Sequence, residues 1–159
     1  YYSLADLSDV IRRSAAILAM HVDDDSIDLL ARCARGTPRV ANRILRRMRD
    51  FAQVLGDGRV TTKIVEEGMQ RLRIDPEGLE EHDRAILRTV ITTYGGGPVG
   101  AETLAISVGE AIDTLEDFYE PYLIQRGYLK RTPRGRVATP RAYEHLGLEL
   151  PHEDNGFLF

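Results

Sequence analysis

Cysteine is almost absent. Cys33 stands alone among 159 residues, which excludes an internal disulfide and a thiolate metal cluster and suits a reducing compartment. No run of about 18 apolar residues occurs, so no transmembrane helix is expected. The four histidines, His21, His82, His145 and His152, lack the spacing of metal ligands, and no metal site is indicated. Ser107 and Cys33 have no evident base partner to activate them as nucleophiles. Gly95-Gly96-Gly97 follows no strand and continues as Pro98-Val99, without the Lys-Ser/Thr of a phosphate-binding loop. The chain opens on Tyr1-Tyr2-Ser3, with no initiator Met, basic stretch or apolar core of a signal peptide, and reads as cut from something longer.

With 43% hydrophobic and 29% charged residues, the chain has the balance of an ordered, soluble protein of one ordinary domain or two small ones. The net charge of −4 is unevenly spread. Residues 1–76 carry 13 Lys/Arg against 11 Asp/Glu, whereas residues 77–159 carry 8 against 14. Within that acidic half, Pro121–Tyr143 holds Arg126, Lys130, Arg131, Arg134, Arg136 and Arg141 and no acid. A confined basic patch of this kind attracts phosphate locally, whatever the global charge.

The first half has helical periodicity throughout. Ser3 and Asp6 open a capping box ahead of Leu4, Leu7, Val10, Ile11, Ala15 and Leu18. Asp23-Asp24-Asp25 introduces a helix with Ile27, Leu30, Ala31 and Ala34 on one face and Gly36 as its stop. Thr37-Pro38 provides an N-cap and first residue for a third helix, with an apolar stripe of Val40, Ile44, Leu45, Met48, Ala52 and Leu55. Thr61 caps a fourth. Asp75-Pro76-Glu77-Gly78 then marks a boundary, giving a small helical bundle over 1–76.

Residues 77–150 have a different pattern. One helix carries Ala85, Ile86, Val90 and Ile91, and a short one spans about Gly100–Ser107. Asp113-x-x-Glu116 predicts a second capping box, opening a helix that faces inward with Leu115, Phe118, Tyr122 and Leu123 and is kinked by Pro121. The period then falls to two over Tyr128–Arg131 and Arg136–Thr139, around a Thr132-Pro133-Arg134-Gly135 turn. Three helices followed by a β-hairpin is the order of a winged helix-turn-helix domain, with the hairpin as its wing. A short helix at Ala142–Leu146 follows, and residues 151–159 read as a frayed tail.

Two constellations could carry function. Arg39 lies in the first turn of a helix, at its positive end, where an Arg beside exposed N–H groups makes a phosphate site. The same four residues, Gly36–Arg39, also fit a merely solvated Arg. Arg46 and Asp50 suit an i,i+4 pair on the same helix. The second constellation is the hairpin: Arg131, Arg134 and Arg136, with Lys130 beside them, suit contact with a nucleic-acid backbone. The helix that would read bases carries Asp113, Glu116, Asp117 and Glu120, whose charge opposes docking in a major groove. On this reading the wing touches DNA and the acidic helix does not.

Four segments together resemble the RuvB family: Gly36-Thr37-Pro38-Arg39-Val40-Ala41-Asn42-Arg43, Gly96-Gly97-Pro98-Val99-Gly100, Glu120-Pro121-Tyr122-Leu123-Ile124, and Arg131-Thr132-Pro133-Arg134-Gly135-Arg136-Val137-Ala138-Thr139. The resemblance covers nearly the whole chain. It implies a mainly α fragment, in which 1–76 is the small helical lid of an AAA+ ATPase and 77–150 is a winged-helix DNA-binding domain. In that family Arg39 matches the sensor-2 arginine at the terminal phosphates of ATP, and Tyr2 a tyrosine beside the nucleotide. Arg131 and Arg136 match wing arginines on DNA, with Arg134 and Lys130 as candidate neighbours. The resemblance further implies a bacterial, cytoplasmic, ring-forming hexamer that drives Holliday-junction branch migration with ATP and Mg²⁺, alongside RuvA and RuvC. The P-loop, the Mg²⁺ site, the arginine finger and the RuvA-docking hairpin would lie in an N-terminal domain, so this stretch alone is expected to be inactive and to hold no nucleotide tightly. A stand-alone winged-helix regulator and the lid plus winged helix of an origin-initiator ATPase are the alternatives.

Overall fold

Helix starts in the first half fall where the sequence supplies an acceptor for orphan backbone N–H groups. In the computed structural model, which describes residues 1–151, Ser3 Oγ accepts from Asp6 N at 3.1 Å ahead of α1 (Leu4–Ile17). Thr37 Oγ1 accepts from Val40 N at 3.3 Å ahead of α3 (Pro38–Leu55). Thr61 Oγ1 accepts from Ile64 N at 3.3 Å ahead of α4 (Thr62–Arg71). Asp23 occupies the N-cap of α2 (Asp24–Arg32) without a side-chain bond, and Asp24 and Asp25 in the first turn favour the positive helix end.

The described residues divide into two compact units, Tyr1–Glu81 and a second that begins at His82. In the first, α1 packs on α2 and α3, and α4 closes the bundle against α2 and α3. Leu7, Ile11, Ile27, Leu30, Leu45, Met48, Val65 and Met69 form its interior, together with Cys33. A parallel bridge between Val22 and Val60 ties the α1–α2 loop to the α3–α4 loop. Leu4 and Leu55, expected on the apolar stripes, are exposed because each lies at a helix end, beyond the reach of the opposing helices. Asp50 sits 3.9 Å from Arg49 and not on Arg46. The Asp75–Gly78 turn folds back on itself: Asp75 Oδ1 accepts from Glu77 N and Leu79 N, each at 3.0 Å.

The second unit runs α5 (Glu81–Thr92), α6 (Ala101–Val108), α7 (Ile112–Thr114), one π-helical turn (Leu115–Tyr119), α8 (Glu120–Gln125), β1 (Leu129–Thr132), β2 (Gly135–Ala138) and α9 (Pro140–Leu146). β1 and β2 form an antiparallel hairpin, and Val99 adds a single bridge to Arg136 on its outer side. Gly97, at the end of the glycine run, serves this contact. A Cβ on Gly97 would collide with the Arg136 carbonyl oxygen, so only glycine lets the two backbones approach so closely.

The second unit also differs from the sequence expectation around its third helix. Asp113 and Glu116 do not form a capping box: the N-cap is Ala111 and has no side-chain bond. α6 ends at Val108 with left-handed Gly109 as its C-cap, so only three residues separate the helices and the new helix starts before Asp113. The disturbance expected at Pro121 takes the form of the π turn immediately before it, in which Glu120 N bonds Leu115 O. Proline crowds the carbonyl four residues back, and a widened turn relieves that crowding. The π turn also stacks Glu120 over Leu115. Consequently Leu115, Tyr119, Tyr122 and Leu123 are buried, Glu120 is buried with them, and Phe118, expected inside, is 39% exposed. Of the tail predicted at 151–159, all but Pro151 lies outside the described residues.

Candidate nucleic-acid interface

The wing is fixed by the two threonines of its own motif. Thr132 Oγ1 donates to Gly135 O at 2.8 Å and accepts from Arg134 N at 3.3 Å, closing the tip. Thr139 Oγ1 donates to Gly127 O at 2.6 Å and caps α9 through Ala142 N at 3.4 Å, anchoring the base. The pairing register puts Thr132 opposite Gly135 and Arg131 opposite Arg136. The loop is therefore Pro133-Arg134 alone, two residues where four were expected.

Directly opposed residues of a hairpin project to the same face, where like charges repel. Arg131 and Arg136 are such a pair, and Glu120 lies between them. Arg131 Nη2 is 2.7 Å from Glu120 Oε2, and Arg136 Nε is 2.5 Å from Glu120 Oε1. Arg136 Nη2 also reaches Glu120 Oε2 at 3.2 Å and Glu116 Oε1 at 3.4 Å. The Glu120 side chain is 0% exposed, that of Arg136 12%, and that of Arg131 53%. The hydrogen bond that Arg136 donates to Glu120 holds the Arg136 pKa above its ordinary value, against the opposing effect of burial. The sequence places Glu120 with Asp113, Glu116 and Asp117, the acids whose charge opposes docking in a groove, and does not single it out. The signal that could have found it is Pro121, because the widened turn a proline favours just before itself turns the positions after that turn, Glu120 included, onto another face.

The remaining basic residues differ in availability. Lys130, opposite Val137 in the ladder, is exposed, as is Arg134 at the tip. Arg141 lies over the buried Tyr128 ring, 4.7 Å from its centroid, and so serves packing.

In the first unit, the residues predicted at a nucleotide converge on one turn. Tyr2 N donates to Gly36 O at 3.0 Å, and the Tyr1 ring covers left-handed Gly36, where a Cβ would collide with it. Burial raises the Tyr1 pKa, and the Arg35 charge partly offsets this. Arg39 follows as the second residue of α3 and is exposed. Cys33 is buried with Sγ 3.6 Å from Met69 Sδ, and burial, reinforced by Asp75, pushes its thiol up to about 12, which makes it inert as a nucleophile. Among the described residues, no group of three or more His, Cys, Asp or Glu could hold a metal ion, and no helix is long and apolar enough to cross a membrane.

Comparison with known proteins bears on both units. Residues 2–75 match the family described as the RuvB AAA lid domain, and residues 76–147 the RuvB C-terminal winged helix domain. A Treponema denticola protein named Holliday junction branch migration complex subunit RuvB is 59% identical over 156 residues, covering 98% of this chain and 46% of that protein. A protein of the same name from Anaeromyxobacter dehalogenans is 54% identical over 99% of this chain and 46% of its own length. The solved structure of the Thermotoga maritima RuvB Holliday junction branch migration motor matches with a TM-score of 0.92 and 46% identity, over 95% of this chain and 51% of that one. The chain thus spans about half the length of the relatives it matches. With both halves matched in order, the chain belongs to the RuvB family, of which it carries the lid and the C-terminal winged helix.

Proposed function

We propose that this chain is the nucleotide-sensing lid and duplex-holding module of an ATP-driven motor that moves Holliday junctions in recombination and repair. The observation that supports this most is the wing: Arg131 is half-exposed on a hairpin braced at tip and base, while acids dominate the helix that would otherwise enter a groove. Backbone contact through a wing carries no base information, which suits a machine that must pass over any sequence.

ATP fits this chain only in part. Arg39 at the positive end of α3 and Tyr2, tied to the Gly36 turn, are suited to contact a nucleotide from one side. Gly97 packs on the wing backbone, and on this reading the phosphate cradle and Mg²⁺ ligands would come from the part of the full-length protein that this chain does not span. Bound ATP would supply the free energy of phosphoryl transfer. Arg39 would neutralise phosphate charge, and a rigid lid would carry the winged helix as nucleotide states change. RuvA and RuvC as partners, a hexameric ring and a bacterial cytoplasmic setting complete the reading.

Two measurements test it. The chain alone is expected to show no ATP turnover above a buffer blank, with or without DNA. In the full-length parent, Arg39→Ala is expected to lower kcat more than it weakens nucleotide binding, because a terminal-phosphate contact matters most as transition-state charge develops. Turnover by the chain overturns the reading that the catalytic machinery lies elsewhere, and an unchanged kcat leaves Arg39 a solvated helix residue and overturns its nucleotide-sensing role. Duplex binding that depends on base sequence and tolerates loss of the wing arginines favours a transcription regulator instead.

A further inference from the structure

The wing arginines are not equivalent, and a buried carboxylate stands behind both. Arg136 spends Nε and Nη2 on Glu120, touches Glu116, and has a side chain only 12% exposed. Arg131 gives only Nη2 to the same carboxylate, at 2.7 Å, with 53% of its side chain open to solvent. A guanidinium has five N–H donors in a rigid fork, so Arg131 keeps donors directed away from Glu120. Glu120 owes its position to the π turn, and the Arg136 backbone owes its position to the Val99 bridge at 3.0 and 2.7 Å.

We infer that Glu120 is a positioning residue for DNA binding: with Arg136 as a brace, it holds the Arg131 guanidinium in the orientation that meets a phosphate. This rests on the wing reading proposed above. Its consequence runs against simple charge counting. Removing a negative charge beside two arginines should strengthen attraction to DNA and steepen the salt dependence. If Glu120 orients Arg131, removing the carboxylate weakens binding instead, since a mobile Arg must be ordered again on contact.

The test measures affinity of this chain for two unrelated duplexes across a salt series, for the parent sequence, Glu120→Gln, Arg131→Ala and the double variant. Arg131→Ala is expected to weaken binding and lower the slope of log K against log salt by about one unit. Glu120→Gln is expected to weaken binding roughly three- to tenfold, on the order of the contribution of one phosphate contact. In the Arg131→Ala background it is expected to have no further effect. A role in folding alone would instead lower affinity equally in both backgrounds. Glu120→Gln binding as tightly as the parent sequence or tighter, with Arg131→Ala still weak, overturns the inference and leaves the wing reading intact. Arg131→Ala binding like the parent sequence overturns the wing reading and the inference with it. Should Glu120→Gln melt below the assay temperature, Arg136→Lys takes its place: it keeps the charge but cannot make the Nε–Nη2 fork. The same several-fold loss, absent in the Arg131→Ala background, is expected, and unchanged affinity overturns the proposal.

Discussion

Gly135 is the residue on which the wing's attachment turns, and replacing it with alanine should separate backbone strain from collision. Its φ is +134°, and a Cβ built there lies 2.5 Å from the Val99 carbonyl oxygen and 2.6 Å from its carbon. Both are backbone atoms, so no side-chain rotation relieves the contact. Val99 would have to withdraw, breaking its two hydrogen bonds with Arg136 at 3.0 and 2.7 Å. Gly109, in the same unit, is the control. It has φ +71° and nothing within 4 Å of a built Cβ, so Gly109→Ala reports left-handed strain alone. That strain costs about 1–2 kcal/mol. Gly135→Ala adds two lost hydrogen bonds at about 1 kcal/mol each, together with a harsher conformation. A loss of about 3–4 kcal/mol is therefore expected. Urea unfolding followed by far-UV circular dichroism measures both variants, and amide hydrogen exchange at Val99 and Arg136 localises the damage. Equal losses for the two glycines, or undiminished protection at Val99 and Arg136, would refute the close-approach argument.

Thr139→Val keeps the side-chain shape but loses both the bond to Gly127 O and the α9 cap; it is expected to cost about 2 kcal/mol in urea unfolding, with Thr139→Ser recovering most of it. Cys33 should make the protein labile to alkali. Its thiol ionises near 9.0 when unfolded but stays protonated in the fold up to about 12, so between these values the folded state binds more protons and stability falls as pH rises. The expected slope is up to about 1 kcal/mol per pH unit, and it should flatten in Cys33→Ala when stability is followed from pH 8 to 11. An identical slope in the two proteins would show that other groups govern the alkaline limit.

How far the sequence reveals this molecule depends on the range of the physics behind each feature. Ser3, Thr37 and Thr61 were readable as N-caps because a cap is settled within three residues of chain. The wing's strands were readable within a residue at each end, but its register was not. Thr132 pairs with Gly135 because Val99 docks alongside, a contact 36 residues away in sequence, and this shortens the loop to Pro133-Arg134. Glu120 is the most instructive case. At a period of 3.6, Asp113, Glu116, Asp117 and Glu120 form one acidic face turned to water. Pro121 makes that period fail, because the π turn preceding it brings Glu120 over Leu115 and onto the buried side. A carboxylate in that position is tolerable only if paired, and the pair available is Arg131 and Arg136, brought together by the hairpin register. The acidic helix and the basic wing, read in the sequence as opposed in their effect on DNA, are in the fold one electrostatic unit. The helix need not enter a groove to affect binding, because its buried glutamate is in contact with the residues proposed to do so.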